Sequence, residues 1–213
     1  MTMKLYLVRH GEKISQNSGR TLNAGLSNTG IEQAKRAGLF FKDKKIDFIY
    51  CSKLERARET LEYIKPFIVD PKIIFTQEIN ERSIGKFRNH EEYKEALKLS
   101  GLKDYQFRPE NGENYFDVEK RAQSFLESLK REHSNDTVLL IGHGIFFRLL
   151  ILRMFQLHMK EMAYFNLENC SISYFEVDNG KVRDSRVNDC THLLTLSSYN
   201  REVCAEGTDK EQD

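Results

Sequence analysis

The sequence predicts an α/β fold: three layers, with a mostly parallel central sheet carrying helices on both faces, and a small helical cap inserted near the middle of the chain. Three observations lead there. Short apolar runs alternate along the chain with amphipathic runs of helical period, the pattern of a parallel sheet covered on both sides. Two of the short runs, "KLYLVR" (4–9) and "DTVLLIGH" (136–143), are nearly continuous in apolar residues, as strands buried on both faces are. Each of these two runs leads into a histidine followed by glycine, His10-Gly11 and His143-Gly144.

The remaining elements follow in order. "LSNTGIEQAKRAGLFFKDK" (26–44) places Ile31, Ala34, Ala37, Gly38 and Phe41 at helical spacing, with Ser27 or Thr29 to cap its start. "DFIYCS" (47–52) reads as a strand and "KLERARETLEYIKPF" (53–67) as a helix stopped near Pro66. "KIIFT" (72–76) is a third strand candidate. Residues 86–115 are more polar, hold Gly101, Pro109 and Gly112, and read as the helical cap insertion. "NYFDVEKRAQSFLESLKREH" (114–133) is a long amphipathic helix with Phe116, Val118, Ala122, Phe125, Leu126 and Leu129 on one stripe. "GIFFRLLILRMF" (144–155) is helical after the 136–143 strand, and "SISYFEVDNGKVRDSRV" (171–187) alternates about Asp178-Asn179-Gly180, a hairpin signal. One domain over residues 1–200 is expected, with a polar, disordered tail at 201–213.

Composition narrows the function classes. With 31% charged and 39% apolar residues in 213, the chain resembles ordinary globular proteins and is long enough for one well-buried core. Thirty-three basic residues against thirty-two acidic ones leave a net charge of +1 and no concentrated basic run, which argues against a nucleic-acid partner. Cys51, Cys170, Cys190 and Cys204 are scattered without metal-ligand or disulfide spacing, as expected of reduced thiols in a cytoplasmic protein. The most apolar region, 137–155, is interrupted by His143, Arg148, Arg153 and two glycines, so no membrane span is expected.

If the 4–9 and 136–141 strands are central and parallel, His10 and His143 emerge at the same sheet edge, where ligands of such sheets bind. Arg9 is beside His10, and Arg56 lies in the first turns of a helix beginning at that edge, whose N–H groups favour anions. Two guanidinium forks suit a phosphate, and a neutral imidazole is a competent phosphoryl acceptor. Each of these residues alone would pass for a surface histidine or a solvated helix arginine; their convergence reads as a phosphate pocket containing a nucleophile.

Six blocks, "LVRHGE", "LSNTGIEQAKRAG", "SKLERARET", "INERSIGKF", "NGENYFDVEKR" and "LLIGHGIFFRLL", resemble in order and spacing the histidine phosphatase superfamily, in its phosphoglycerate-mutase-like branch, over residues 4–177. The resemblance implies that His10 is the nucleophile that becomes phosphorylated. It implies that Arg9, Arg56 and His143 hold the phosphate oxygens, with Gly144 and Asn17 adding contacts. Glu81 would protonate the leaving oxygen and later activate water. It implies no metal and no cofactor, since the arginines supply the positive charge.

The chain departs from the pattern at several positions. Lys13 and Gln16 stand where many relatives carry a hydroxyl residue and an asparagine, with Asn17 one step later, so the phosphate contact falls to Gln16 or Asn17 and Lys13 becomes a candidate for shaping substrate choice. The second glycine after "ERSIG" is replaced by "KFRNH", and Asn114 replaces a small hydroxyl residue. Only residues 86–142 separate the acid block from the second histidine, shorter than in phosphoglycerate mutases, which favours hydrolysis over phosphoryl return. The expected activity is therefore a metal-independent phosphomonoester hydrolase. Arg82 in "NER" keeps a mutase alternative, and a non-catalytic phosphate-binding scaffold is the third. The basic and aromatic residues of 82–108 read equally as a cap attracting anions or as a solvated helix. The expected partner is a small phosphorylated substrate or a phosphoprotein, and an exposed edge strand could join two copies into a homodimer.

Overall fold

The structure is a computed structural model and describes residues 2–14 and 23–194. Six strands form one sheet: β1 (Thr2–Arg9), β2 (Phe48–Ser52), β3 (Lys72–Thr76), β4 (Thr137–Gly142), β5 (Ile172–Asp178) and β6 (Lys181–Asp189). Their order across the sheet is β3-β2-β4-β1-β5-β6, with β3, β2, β4 and β1 mutually parallel. β5 runs antiparallel to β1 and returns as β6 through the Asp178–Gly180 turn, where Asn179 and Gly180 both adopt positive φ, as a tight hairpin requires.

Side-chain alternation divides the core between the two faces of the sheet. Leu5, Leu7, Val138 and Leu140 face α4 (Tyr115–Glu132) and α5 (Gly144–Phe155). Val8, Ile49, Leu139 and Ile141 face α1 (Asn28–Phe41) and α2 (Glu55–Ile64). Every one of these sheet side chains is essentially inaccessible, and such burial contributes about 1.5–3 kcal/mol per large apolar residue. The predicted stripe on α4 holds except at Phe116, which is 47% exposed and meets only the edge of Tyr105: it lies in the first turn, before the helix reaches the core.

Caps fix the helix starts. Ser27 Oγ accepts from the Gly30 amide, so Ser27 rather than Thr29 caps α1. Asn114 and Asp117 form a reciprocal capping box on α4. The segment 86–115 contains one helix, α3 (His90–Ser100), capped by Asn89 and ended by Gly101 at φ 67°. A 3₁₀ turn, Lys65–Phe67, follows α2 at Pro66. Cys51, Cys170 and Cys190 are buried, and burial pushes the Cys51 thiol up to about 12. No helix among the described residues is long and apolar enough to cross a membrane. Cys204 and the 201–213 tail lie outside the described residues.

Candidate active site

Because β4 lies between β1 and β2, the carboxyl ends of all three meet at one point on the sheet edge. Arg9 is in register with Gly142, and the His10 amide donates to the Gly142 carbonyl at 2.9 Å, which carries His10 and His143 out side by side. Their rings stand 5.1 Å apart between centroids. The loop bearing His10 is held from three sides: Cys170 N–H donates to Arg9 O at 2.9 Å, Asn169 Nδ2 to His10 O at 2.9 Å, and Gly11 N–H to Thr60 Oγ1 at 3.1 Å. Thr60 Oγ1 in turn donates to Arg56 O, tying the His10 loop to the helix that carries the arginine.

Glycine at position 11 serves backbone packing. A Cβ there would come within 2.5 Å of the Gly30 carbonyl oxygen, and one at Gly30 within 2.0 Å of Glu12 O. The structure presses this loop against the start of α1. Gly144 differs, since its open face lies over the Arg9 guanidinium, with a built Cβ 3.4 Å from Nε.

The two partners of His10 fix its tautomer. Nδ1 lies 2.7 Å from the Gly11 carbonyl, which can only accept, and Arg56 Nε, which can only donate, reaches Nε2 at 2.9 Å. Nδ1 therefore carries the proton and Nε2 is a bare lone pair. Burial and then the Arg56 and Arg9 charges hold the imidazole well below its ordinary value, so the neutral ring is favoured. Arg9 and Arg56 converge on it, Arg9 anchored by a donation to Leu167 O.

Glu81 comes from the loop after β3. Its Oε1 accepts from Arg82 N–H at 3.1 Å and its Oε2 from Ile145 N–H at 3.4 Å, at the first turn of α5. That loop is clamped to α4 by a group that sequence reasoning did not single out. Arg121 forks onto Glu113 (Nε to Oε1 3.0 Å, Nη2 to Oε2 2.9 Å) and donates from Nη1 to the carbonyls of Glu78 and Asn80. Glu113 also accepts from Ser83 N–H. Asn80 reaches Ser52 Oγ, and Ser52 Oγ lies 2.7 Å from His143 Nε2. Ser52, Thr60 and Asn80, which stand inside the quoted blocks, and Asn169, which does not, were likewise assigned no role by the sequence.

The structure thus brings together Arg9, His10, Arg56, Glu81, His143 and Gly144. Gln16 and Asn17 lie outside the described residues. The start of α2 is less open than expected, because Asn23 Oδ1 already accepts from the Glu55 amide at 2.7 Å. Some basic residues of the 86–115 segment are engaged: Lys86 with Glu110 at 2.6 Å, Arg88 with Glu92 at 2.5 Å, and Arg108 with Asp117. Arg82 is sandwiched between the Tyr93 and Tyr115 rings at 4.7 and 4.9 Å and donates to Tyr93 Oη and Asp104. It pins the cap together. Lys13, half-buried at the rim, is held low by burial and by Arg56, with Glu81 opposing. Among the described residues no group of three His, Cys, Asp or Glu side chains is arranged to hold a metal ion.

A neutral imidazole with its lone pair set between two guanidinium groups, a second histidine beside it and a carboxylate at the rim define a phosphate-handling histidine site on a three-layer α/β fold. The chain belongs to the histidine phosphatase superfamily (branch 1), whose profile matches residues 5–190. It is 25% identical to a metal-independent phosphoserine phosphatase of Arabidopsis thaliana over 213 aligned positions, covering 93% of this chain and 86% of that one. It is 29% identical to the adenosylcobalamin/alpha-ribazole phosphatase of Salmonella typhimurium, covering 86% and 97%. The crystal structure of a phosphoserine phosphatase of Entamoeba histolytica in complex with 3-phosphoglyceric acid superposes with a TM-score of 0.70 at 26% identity, over 90% of this chain and 99% of that one.

Proposed function

We propose that this chain is a metal-independent phosphomonoester hydrolase that works through a phosphohistidine on His10. The observation that carries the reading is the His10 tautomer: a neutral imidazole whose bare Nε2 already meets Arg56 Nε at 2.9 Å. In the first step Nε2 attacks phosphorus in line with the ester oxygen, forming the N–P bond as the P–O bond breaks. Arg9, Arg56 and His143 neutralise the charge on the remaining oxygens, and Glu81 delivers a proton to the departing alcohol. In the second, Glu81 takes a proton from water as that oxygen attacks phosphorus, and the N–P bond breaks to release inorganic phosphate and free His10. When His10 is phosphorylated, Nδ1–H stays on Gly11 O, so the ring is held in the attacking orientation throughout.

The substrate class is a small phosphorylated metabolite, in keeping with relatives named for phosphoserine and alpha-ribazole phosphate. Hydrolysis is better supported than mutase-type transfer, because Arg82, the residue that favoured a mutase, is committed to Tyr93 and Asp104. The reading takes residues 1–200 as one domain with 86–115 as a cap over the pocket, working in the cytoplasm, where its buried thiols stay reduced. It keeps β3, whose Phe75 is exposed, as the edge through which two copies would pair. Release of nitrophenol from p-nitrophenyl phosphate in the presence of EDTA tests the activity. Turnover supports a hydrolase; phosphoenzyme without turnover supports a mutase, and neither signal from folded protein supports a binding scaffold.

A further inference from the structure

His143 is fully buried, yet its two nitrogens are treated very differently. Nε2 lies 2.7 Å from Ser52 Oγ, while Nδ1 is buried with no hydrogen-bond partner. The direction of the Nε2 bond follows from its neighbours. Lys53 N–H donates to Asn80 Oδ1 at 3.2 Å, which fixes that atom as the oxygen, an acceptor. Ser52 Oγ, 2.7 Å from the same oxygen, must give its single proton there. Leu54 N–H donates to Ser52 Oγ at 3.2 Å, so what remains on that oxygen is acceptor capacity. His143 Nε2 must therefore carry a proton and donate it to Ser52. In the neutral ring this leaves Nδ1 as a bare lone pair, the opposite tautomer to that of His10 beside it.

A bare nitrogen cannot hold a phosphate oxygen; only the imidazolium can. We infer that Ser52 and Asn80 are positioning residues that lock His143 as its Nε2–H tautomer, so that an oxyanion entering the pocket brings one proton from solvent onto His143 Nδ1. The inference rests on the proposed function and adds to it a proton balance: the free site holds two neutral histidines, and the loaded site one neutral and one cationic. The charged and titratable groups facing His143 are Arg9 at the end of β1, the neutral His10 just past it, Arg56 from α2 and Arg121 from α4, with Glu81 reaching the amide of Ile145 two residues on. Burial first, then Arg56, His10 and Arg9, keep the ring unprotonated in the free site, and a dianion against Nδ1 reverses that balance.

The test uses sulfate, which does not titrate near neutrality, and the full chain. Ring ¹⁵N spectra of the free protein are expected to show His10 protonated at Nδ1 and His143 at Nε2, with both His143 nitrogens protonated once sulfate is bound. Calorimetry in buffers of different ionisation enthalpy is expected to give an uptake of about one proton per sulfate. In Ser52→Ala the His143 tautomer preference is lost, proton uptake falls well below that of wild type, and KM for a phosphomonoester rises roughly tenfold with kcat less affected. Asn80→Asp keeps the accepting oxygen and so retains the Nε2–H tautomer, while its added carboxylate favours the imidazolium in the free site and lowers the proton uptake per sulfate with no rise in KM. A structural role alone would not move the proton count in that direction, which keeps the test should Ser52→Ala fold poorly. Sulfate binding without proton uptake, an Nδ1–H tautomer of His143 in the free protein, or no sulfate binding overturns the inference. EDTA-resistant turnover alongside any of these leaves the hydrolase reading standing, whereas proton-linked sulfate binding without turnover sinks that reading alone.

Discussion

Arg56 Nε donates to His10 Nε2 at 2.9 Å, so the lone pair proposed to attack phosphorus already faces a cation. A proton on Nε2 would have to displace that bond and sit among Arg56, Arg9 and Lys13. Protonation of His10 therefore waits until the pH is well below the ordinary imidazole value of 6.5, and the nucleophile is available at neutrality. Ring NMR titration of the free protein is expected to show His10 still neutral as the pH falls through 6.5. Arg56→Gln moves the midpoint upward. An unchanged midpoint in that variant would show that burial and the Arg9 and Lys13 charges set it without Arg56.

Glu81 is expected to matter in proportion to how badly the leaving group needs a proton. Glu81→Gln should slow hydrolysis of an alkyl phosphate such as phosphoserine about 10²–10⁴-fold, and slow p-nitrophenyl phosphate much less, because nitrophenolate departs unaided. Comparing kcat/KM for the two substrates reads this directly. Equal losses on both would remove Glu81 from the proton-transfer role.

The Glu113–Arg121 fork carries the loop that holds Asn80 and Glu81. Glu113→Ala leaves a mostly buried guanidinium without its carboxylate while two backbone carbonyls still hold it. The expected cost is about 1–3 kcal/mol in urea unfolding, accompanied by a fall in kcat as Glu81 loses its position. Wild-type kcat in a destabilised variant would show that Glu81 is held by other contacts.

His192 supplies a pH dependence of stability away from the site. Its Nε2 donates to Cys170 O at 3.0 Å, its Nδ1 is buried without a partner, and burial lowers it to about 4 from 6.5. As the pH falls the unfolded chain takes up this proton first, so stability is full above 6.5 and drains away toward about 4. The loss amounts to about 3 kcal/mol at the acid end. His192→Gln keeps a donor for Cys170 and is expected to flatten this slope in urea unfolding measured across the range. An identical slope would remove His192 and leave the acid sensitivity to the other groups held low in the fold, His10, His90 and His143 among them.

Lys13, at the rim where many relatives carry a hydroxyl residue, is a cation beside Arg56 and Glu81. Lys13→Ser is expected to raise KM for phosphomonoesters with a second anionic group, such as phosphoserine, roughly three- to tenfold more than for p-nitrophenyl phosphate. Equal effects would make Lys13 part of the general phosphate field.

The strands and helices were legible because their signals are local: continuous apolar runs for β1 and β4, 3.6-residue spacing for α1 and α4, Asn179-Gly180 for the β5–β6 hairpin. Arg9, His10, Arg56, Glu81 and His143 were legible because each stands in a quoted block whose order carries the resemblance. Ser52, Thr60 and Asn80 stand in the same blocks, and Asn169 outside them, but their roles were not legible, since a buried hydroxyl or amide acquires its role only from a partner brought to it by the fold; Ser52 meets His143 across 91 residues of sequence. Phe116 was misread because helical periodicity does not reveal where a helix first touches the core. Arg82 kept the mutase alternative in the sequence, and the fold encloses it between two tyrosines.

The central claim is covalent chemistry at His10, and trapping the intermediate tests it most directly. Wild-type protein mixed with a ³²P-labelled phosphomonoester in EDTA and quenched within the first turnovers is expected to carry label that is stable in base and lost in acid, mapping to the peptide that contains His10. His10→Ala is expected to carry none and to lose turnover by at least about 10³-fold. Turnover without label on that peptide, or a His10→Ala protein that still hydrolyses phosphomonoesters at a comparable rate, would contradict the account.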